Sequence, residues 1–519
     1  MRIISGNVTG PVVLVSRPIK YTFPLSYAYL AGYLKEQGEE VKILFRPTVD
    51  KAEDFAKEII GMNPVLVGFG NLYPELKEIS AFIKCLDNAG RKFPIVIGGQ
   101  MVSPIPEFAV RITGADIGVI GEGEIILHNV VKALREGSNI KEVKGLAVRE
   151  GNEVFLTGPG EVIPDLDKLP KIPYEFFPEK EWLNIGRWYT RYHQQPHWHF
   201  DDRVINAHSG RGCPYTCNFC YHHSKPRYRS MGVVMDEARE ALERFNGNML
   251  YFSDETALAS PKRVREMIDG IRNLPRRIEF SVSCRFDILS RIDDAVLREM
   301  KDAGCRIMGL GIESGSDRIL QIIGKRYPAN IIREGLDRLK KAGILPTVSI
   351  MVGQYTETVE DVEMSIDLMR ESVRNNHNIQ YAFTVTTPFP GSALYEHIFK
   401  TGLLKDDREF YDIYFKSRKE FQYVVNLSKM SDAELMRMYQ KILEEYNKEK
   451  EKVLNKKAVV VEKTMINVSK AYEIFMTRLF GGLAAKNAIA DKFCRFCEFL
   501  FVAIEVWLDG IRLKIRGLR

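Results

Sequence analysis

From Pro11 to about residue 400 the chain alternates short β-rich runs with stretches of helical period, a pattern that commits it to parallel α/β sheets. The runs fall into two series. The first comprises Pro11–Ser16 (PVVLVS), Val41–Phe45, Val65–Phe69, Ile95–Ile97 and Ile117–Ile120, with a helical stretch, Pro24–Gln37, that stops at Gly38. Each strand opens at its carboxyl end into a polar or glycine-bearing loop. These ends carry Ser16, then Gly70, Asn71, Leu72 and Tyr73, then Gly98, Gly99 and Gln100, then Gly121, Glu122, Gly123 and Glu124. In open α/β sheets ligands bind at such ends, although any one of these glycines also serves simply to turn the chain. Residues 1–150 are therefore expected to form a Rossmann-like, doubly wound parallel sheet.

A proline-rich segment, Pro164–Pro178 (PDLDKLPKIPYEFFP), marks a boundary inside a linker spanning residues 151–200. The second series begins at Val204. Its strands are expected at Met249–Ser253, Glu279–Ser283, Arg306–Ile312, Pro346–Val352 and Tyr381–Thr386. Residues 201–400 suit a full or partial β/α barrel, with its chemistry at the carboxyl ends of the strands. Beyond residue 400 the β signal fades, and residues 401–519 read as a helical C-terminal domain. A chain of 519 residues exceeds what one hydrophobic core can hold. Its net charge of +6 is mild for that length and calls for no nucleic-acid partner. No charged-then-apolar leader is visible, and no uncharged apolar run reaches the ~18 to 20 residues of a spanning helix. The expected compartment is cytoplasmic.

The segment Arg211–Cys220 reads RGCPYTCNFC and sets thiols Cys213, Cys217 and Cys220 at spacings of four and three. In a chain without a secretion signal such a triplet points to metal chemistry rather than disulfides. Zinc sites favour a different pairing of cysteines. Thiolates are the usual ligands of iron–sulfur clusters, and three of them on a four-iron cube leave one iron open. An open position is what a catalytic metal keeps for its substrate. Such an iron could chelate the amino and carboxylate groups of S-adenosylmethionine (SAM), and one electron into the sulfonium would release a 5′-deoxyadenosyl radical.

This pattern, with an aromatic residue just before the last cysteine, resembles the radical SAM superfamily, and so do several later elements. Phe252–Thr256 (FSDET) resembles the family's acidic motif, which implies that Asp254 and Glu255 lie near the SAM amino group. Ser283–Asp287 (SCRFD) implies that Arg285 faces the SAM carboxylate. Gly309–Gly315 (GLGIESG) implies Glu313 at the ribose or methionyl part, and Pro388–Tyr395 (PFPGSALY) looks like the closing-strand element. Met351–Thr358 (MVGQYTET) departs from the usual GLPGET by lacking the proline and the second glycine. The implied fold is a partial (β/α)6 barrel, and the implied cofactors are a [4Fe-4S] cluster and SAM.

The first domain resembles the cobalamin-binding domain of one large radical SAM class, through PLSYAYLAGYL (Pro24–Leu34), VLVGFG (Val65–Gly70), IVIGGQ (Ile95–Gln100), GEGE (Gly121–Glu124) and LDKLP (Leu166–Pro170). Carried over, Ser16, Gly70, Asn71, Tyr73, Gly98, Gly99, Gln100, Gly121 and Glu122 become cobalamin contacts, the glycines letting backbone approach the corrin. The DxHxxG element that gives cobalt a histidine elsewhere is absent, so the lower face of a bound cobalamin is expected to lack imidazole. The alternative is a domain kept as a scaffold without the cofactor.

Asp491, Arg495, Glu498, Glu505, Asp509, Arg512 and Arg516 form one polar stripe on a terminal helix that is otherwise broadly apolar. Such a helix is buried in protein, or lies peripherally on the inner face of a membrane, where its basic finish would meet anionic head groups. Cys494 and Cys497 within it read as packing residues rather than ligands. His193, His199, His208, His222 and His223 crowd the cluster segment with Trp188, Tyr189 and Trp198, where some could line a substrate channel. The resemblance implies a cobalamin-dependent enzyme that methylates or otherwise modifies an unactivated sp3 carbon of a hydrophobic, lipid-like substrate. Its reductant would be a ferredoxin or flavodoxin. Ring or carbon–carbon bond formation on a lipid or porphyrin is the alternative outcome. A methylthiotransferase would need a second cysteine triplet in the first domain, which holds Cys85 alone.

Overall fold

The computed structural model describes residues 9–17, 23–46, 51–70, 72–184, 186, 197–221, 224–417 and 424–454, together with residues 464, 504, 507–511 and 514–515. The chain divides into two compact units that do not follow chain order. One comprises Met1–Glu179, Ser209–Val233 and Thr386–Leu427, and the other Lys180–His208, Val234–Val385 and Ser428–Arg519.

In the first unit, β1 (Val12–Ser16), β2 (Val41–Phe45), β3 (Leu66–Gly70), β4 (Ile95–Gly98), β5 (Ile117–Val119), β6 (Leu146–Glu150) and β7 (Glu153–Leu156) build one seven-stranded sheet. The order is β2-β1-β3-β4-β5-β6-β7, with the first five strands parallel and β6 and β7 antiparallel. All of β1 is buried, as the run VVLVS requires. Because the order reverses between β1 and β3, their carboxyl ends, at Ser16 and Gly70, flank the crevice where open sheets of this order take their ligand. The hairpin β6–β7 extends this sheet six residues past the expected boundary at 150, so the segment expected to begin a linker is a strand. Its turn places Gly151 at φ 60°, a left-handed conformation suited to glycine.

In the second unit, β8 (Val204–Ala207) starts a six-stranded, all-parallel sheet. The chain then makes a small antiparallel hairpin in the first unit, β9 (Gly210–Arg211) with β10 (Arg227–Tyr228). It returns for β11 (Met249–Phe252), β12 (Glu279–Cys284), β13 (Cys305–Glu313), β14 (Leu345–Val352) and β15 (Gln380–Val385). The order β8-β11-β12-β13-β14-β15 is simply sequential, as a partial β/α barrel demands. Connecting helices start on hydroxyl caps: Ser260 accepts from the Arg263 N–H, and Thr358 forms a capping box with Asp361. The helix Asp432–Val453 lies along Val359–Asn375 through Arg370–Glu445, Arg374–Glu449 and Lys441–Glu363 pairs.

The expected grouping of residues 201–400 into one barrel does not match the contacts. The cysteine segment and the PFPGSALY element pack with the first sheet instead. Most of the terminal stretch 491–519, including Cys494 and Cys497, lies outside the described residues. Asp509, expected on a polar outer stripe, is 2% exposed, and its Oδ2 accepts the Phe200 N–H at 2.9 Å. Among the described residues, no helix is long and apolar enough to cross a membrane.

Candidate active site

The carboxyl edge of the first sheet is open. A Cβ added at Gly70 would meet only the Gly98 backbone, at 3.8 Å; one at Gly98 would come no closer than 3.6 Å, to Val119; one at Gly121 would meet nothing within 4 Å. Gly99 and Gly121 sit at φ 81° and 91°, and Gly99 and Gln100 are exposed. Three successive strand ends thus present bare backbone, the surface a flat macrocycle needs. Ser16 lies buried at the switch point, its hydroxyl donating to Arg17 O at 3.0 Å. The crevice is braced by Tyr27, whose hydroxyl accepts the Gly70 N–H at 2.8 Å and reaches Val15 O at 2.9 Å and Gly70 O at 2.7 Å. Burial pushes its phenol well above the usual tyrosine range. Tyr73 turns its ring into an aromatic cluster with Phe389, Phe410, Tyr414 and Phe415, and its hydroxyl is buried without a hydrogen-bond partner. Asn71 lies outside the described residues.

The cysteine segment is held against this edge. Gly212, at φ 80°, brings the backbone so close to Ser224 O and Lys225 O that a Cβ would lie 2.6 and 2.8 Å from them. That contact closes the loop carrying the three thiols. Cys217 is buried, Cys213 half-buried and Cys220 exposed, none is in a disulfide, and the Cys220 N–H donates to Cys217 O at 3.1 Å. The next residue, Tyr221, hydrogen-bonds Ser103, whose Oγ also accepts the Gly121 N–H at 3.0 Å. A single hydroxyl therefore links the glycine edge to the residue after the last cysteine. The Tyr221 ring lies over Gly391, where a Cβ would come within 2.2 Å of it, and the Leu394 N–H donates to Asn218 O. These contacts explain why PFPGSALY packs with the first sheet: its glycine makes room for a ring of the cysteine loop. Three thiols outside any disulfide, graded in exposure on one short closed loop, fit a cluster that must be held and still reached.

In the second unit the strand ends carry charge instead. Asp254, buried after β11, faces His208 (Nδ1–Oδ1 3.5 Å), while Glu255 is exposed. Arg285 follows β12. Its Nε donates to Asp287 Oδ1 at 2.9 Å and its Nη2 to Lys325 O at 3.1 Å, with the Tyr327 ring beneath it. Glu313 ends β13 at φ 64° and is 7% exposed; it pairs with Lys325 Nζ at 3.2 Å and accepts from Ser349 Oγ at 3.1 Å. Its carboxylate folds back over Gly311, where a Cβ would meet it at 2.0 Å. Gly315 lets the turn press on the Met364 backbone, whose carbonyl oxygen would lie 2.4 Å from an added Cβ, and its N–H donates to Ser365 Oγ. Below these charges one sheet face is small and polar, with Gly309 beside Thr347, Gly311 beside Ser349, and Ser349 beside Ala382.

Two family descriptions match this chain: the B12 binding domain over residues 11–131, and the radical SAM superfamily over residues 208–369. The chain is a radical SAM enzyme with a B12-binding domain. Its cofactors are the [4Fe-4S] cluster, SAM and cobalamin, and it is similar to known members of this group. An uncharacterised methyltransferase of Pyrococcus horikoshii is 29% identical over 388 residues, 73% of this chain and 79% of the relative. The anaerobic magnesium-protoporphyrin IX monomethyl ester cyclase of Cereibacter sphaeroides is 26% identical over 404 residues, 75% of this chain and 61% of that enzyme. The radical SAM methyltransferase TsrM of Kitasatospora setae, solved with cobalamin and [4Fe-4S] cluster bound, shares the fold: TM-score 0.61, 20% identity, 76% of this chain and 75% of that one.

Within this radical SAM enzyme, the structure gathers Arg285 and Glu313 around Lys325, and brings Gly70, Gly98, Gly99 and Gly121 to one edge together with the cysteine loop. Glu122, expected as a cobalamin contact, is instead turned onto arginines of the cysteine segment. His199 pairs with Arg306 at the amino end of β13, while His193, His222, His223, Trp188 and Tyr189 fall outside the described residues. Lys325, Tyr27 and Ser103 join the site without having been expected in it. Only Lys325 has a local signal, a lysine beside glycine in GKRY a short step past the ESG element.

Proposed function

We propose that the enzyme methylates an unactivated sp3 carbon of a hydrophobic, lipid-like substrate, with Asp254, Glu255, Arg285 and Glu313 holding SAM and the glycine edge holding cobalamin. The observation that carries this reading is the Ser103 link between Gly121 and the residue following Cys220. One compact unit holds both the open backbone edge and the thiol loop. Bound there, the cluster with SAM supplies a 5′-deoxyadenosyl radical, and cobalamin supplies a methyl group. The chain's own residues do the rest. Arg285, fixed by Asp287 and the Lys325 carbonyl, presents a cation that need not reorganise on meeting a carboxylate. Glu313, pinned between Lys325 and Ser349, presents acceptor oxygens in a water-poor setting. The small, polar face of the second sheet leaves room for a bulky substrate.

Support for a hydrophobic substrate comes from the broadly apolar terminal stretch, in which Trp507 is 65% exposed, and from the porphyrin ester named for the cyclase relative. That relative also favours a second reading, ring closure in place of methyl transfer. A ferredoxin or flavodoxin is the proposed reductant, and peripheral attachment to the inner membrane face the proposed location. The test is anaerobic expression with cobalamin supplied, followed by iron and cobalt assay, 5′-deoxyadenosine assay, and mass spectrometry of host lipids and porphyrins. Methylation predicts products heavier by one methylene unit, and ring closure predicts products that have lost hydrogen. Enzyme loaded with both cofactors that forms no 5′-deoxyadenosine with a strong reductant would refute both readings.

A further inference from the structure

The turn that follows β5 does more than end a strand. The side chains of Glu122 and Glu124 are each 6% exposed, and both point at the cysteine segment rather than into the open edge. Arg211, two residues before Cys213, donates from Nη1 to Glu122 Oε2 at 2.9 Å and from Nη2 to Glu124 Oε1 at 2.6 Å. Arg227, paired with Arg211 across the β9–β10 ladder, bonds the other oxygen of Glu122. Its second nitrogen donates to Ile163 O at 2.5 Å, and the Ser230 N–H donates to Asp167 Oδ1 at 2.8 Å. Two carboxylates and two guanidinium groups thus close into a neutral buried knot at the stem of the thiol loop, with the Tyr29 ring 5.5 Å from the Arg211 guanidinium carbon.

We propose that Glu122 and Glu124 are positioning residues: they clasp Arg211 and Arg227 and so fix the thiol loop on the edge where cobalamin binds. This rests on the reading that Cys213, Cys217 and Cys220 hold the cluster. The chemistry favours a positioning role over mere adhesion. A guanidinium fork bonded to two carboxylates fixes direction as well as distance, which a lysine ammonium does not. Glu122 occupies the N-cap position of the helix Gly123–Glu136 with its carboxylate turned to the arginines rather than to the helix N–H groups, and Glu124 lies in the first turn, so the clasp is anchored in the first sheet's own framework. Removing either glutamate leaves a buried guanidinium short of a partner.

The test compares Arg211→Lys and the double variant E122Q/E124Q with the wild type, as full chains purified without oxygen and reconstituted with iron, sulfide and cobalamin. Iron and cobalt per chain, the electron paramagnetic resonance spectrum of the reduced cluster with and without SAM, and 5′-deoxyadenosine formation are measured. Both variants are expected to keep wild-type iron and cobalt. The spectral change on adding SAM should be altered, and radical formation should fall by on the order of 10²-fold, the cost of misplacing a reacting group by about 1 Å. Glu122→Asp, which keeps the charge, should recover part of both. A wild-type spectrum and rate in both variants would overturn the proposal, as would joint loss of iron, cobalt and fold, which would mark the clasp as structural only. A wild-type chain that takes up no cluster is a separate result, and refutes the functional reading beneath.

Discussion

The two sheets end in opposite ways. The carboxyl ends of the first sheet are bare: Gly121 faces open space, a Cβ at Gly70 or Gly98 would make only ordinary contacts, and the charges nearby, Glu122 and Glu124, are spent on arginines of the thiol loop. The ends of the second are furnished: Asp254, Arg285 and Glu313 stand at β11, β12 and β13, Asp254 facing His208 and the other two held by hydrogen bonds within the same unit. A bare edge suits a large, mostly uncharged ligand that meets backbone over a wide area. A furnished one suits a small ligand with separated charges, because the groups that meet it are fixed in advance and cost little to reorganise. On the proposed reading, similar parallel α/β architecture would suit two kinds of ligand by changing the residues just past each strand.

The most damaging way to break that comparison is to remove what the first edge holds. Cys217→Ala, at the buried member of the triplet, should abolish the visible iron–sulfur absorbance of anaerobically reconstituted protein and reduce 5′-deoxyadenosine to background. Cobalamin uptake should be unchanged, because the glycine edge is built from other residues. Retained absorbance in this variant and in a Cys213, Cys217, Cys220 triple alanine would remove the cluster from this loop.

The furnished edge is tested at Glu313. Glu313→Gln leaves Lys325 in a nearly sealed pocket without its carboxylate, and breaking one side of a buried pair costs roughly 3–5 kcal/mol. Denaturant unfolding of the apo chain should show the loss. Restoring balance with Lys325→Met in the same chain should recover much of it. If the single variant is as stable as the wild type, the pair is solvated, and the second edge is less pre-organised than its distances imply.

How much of this could be seen in the amino-acid order depends on the range of the signal. The strands were legible because burial on both faces writes itself into consecutive residues, as in VVLVS, and the thiols because loop spacing is local. The β6–β7 hairpin was not, because an edge strand with exposed Glu153, Phe155 and Leu156 carries charge and apolar residues alike. The Glu313–Lys325 pair, the Tyr27 brace and the Arg211 clasp depend on which segments meet in space, and no periodicity records that. Asp509 misled for the same reason: helical spacing put it on a polar stripe, while a distant N–H, that of Phe200, had claimed its carboxylate.

A subtler probe of the furnished edge is pH. Glu357 lies just past β14, 1% exposed, accepting N–H groups from Gly353 and Gln354, and burial pushes its carboxyl up to about 7. A carboxyl raised on folding binds its proton more tightly in the native state. It therefore contributes most below the unfolded pKa near 4.5, and that contribution is lost as pH climbs through about 7. The window corresponds to about 3 kcal/mol at 1.36 kcal/mol per unit. Glu357→Gln, which keeps an acceptor for both N–H groups, should flatten the stability–pH curve between pH 4.5 and 7, read by urea unfolding across that range. Parallel curves for variant and wild type would show that the group titrates normally.

The smallest expected effect falls on the bare edge, and it separates emptiness from mere tolerance. Gly70 ends β3 without a positive φ, and a Cβ there meets nothing closer than 3.8 Å, so a larger residue is allowed by the protein itself. Valine should leave stability within about 1 kcal/mol, since strand preference favours it over glycine by that order. What it removes is the space in front of the strand. Gly70→Val should therefore lower cobalamin retained through gel filtration by about tenfold, a loss of about 1.4 kcal/mol in binding, while iron content and melting temperature hold. Gly38→Val, in a turn at the opposite end of the same fold with φ 84° and open space around it, serves as the contrast: it should cost stability and spare cobalamin. If both variants retain cobalamin equally, the open glycines are turns and nothing more, and the first sheet is a scaffold for the thiol loop.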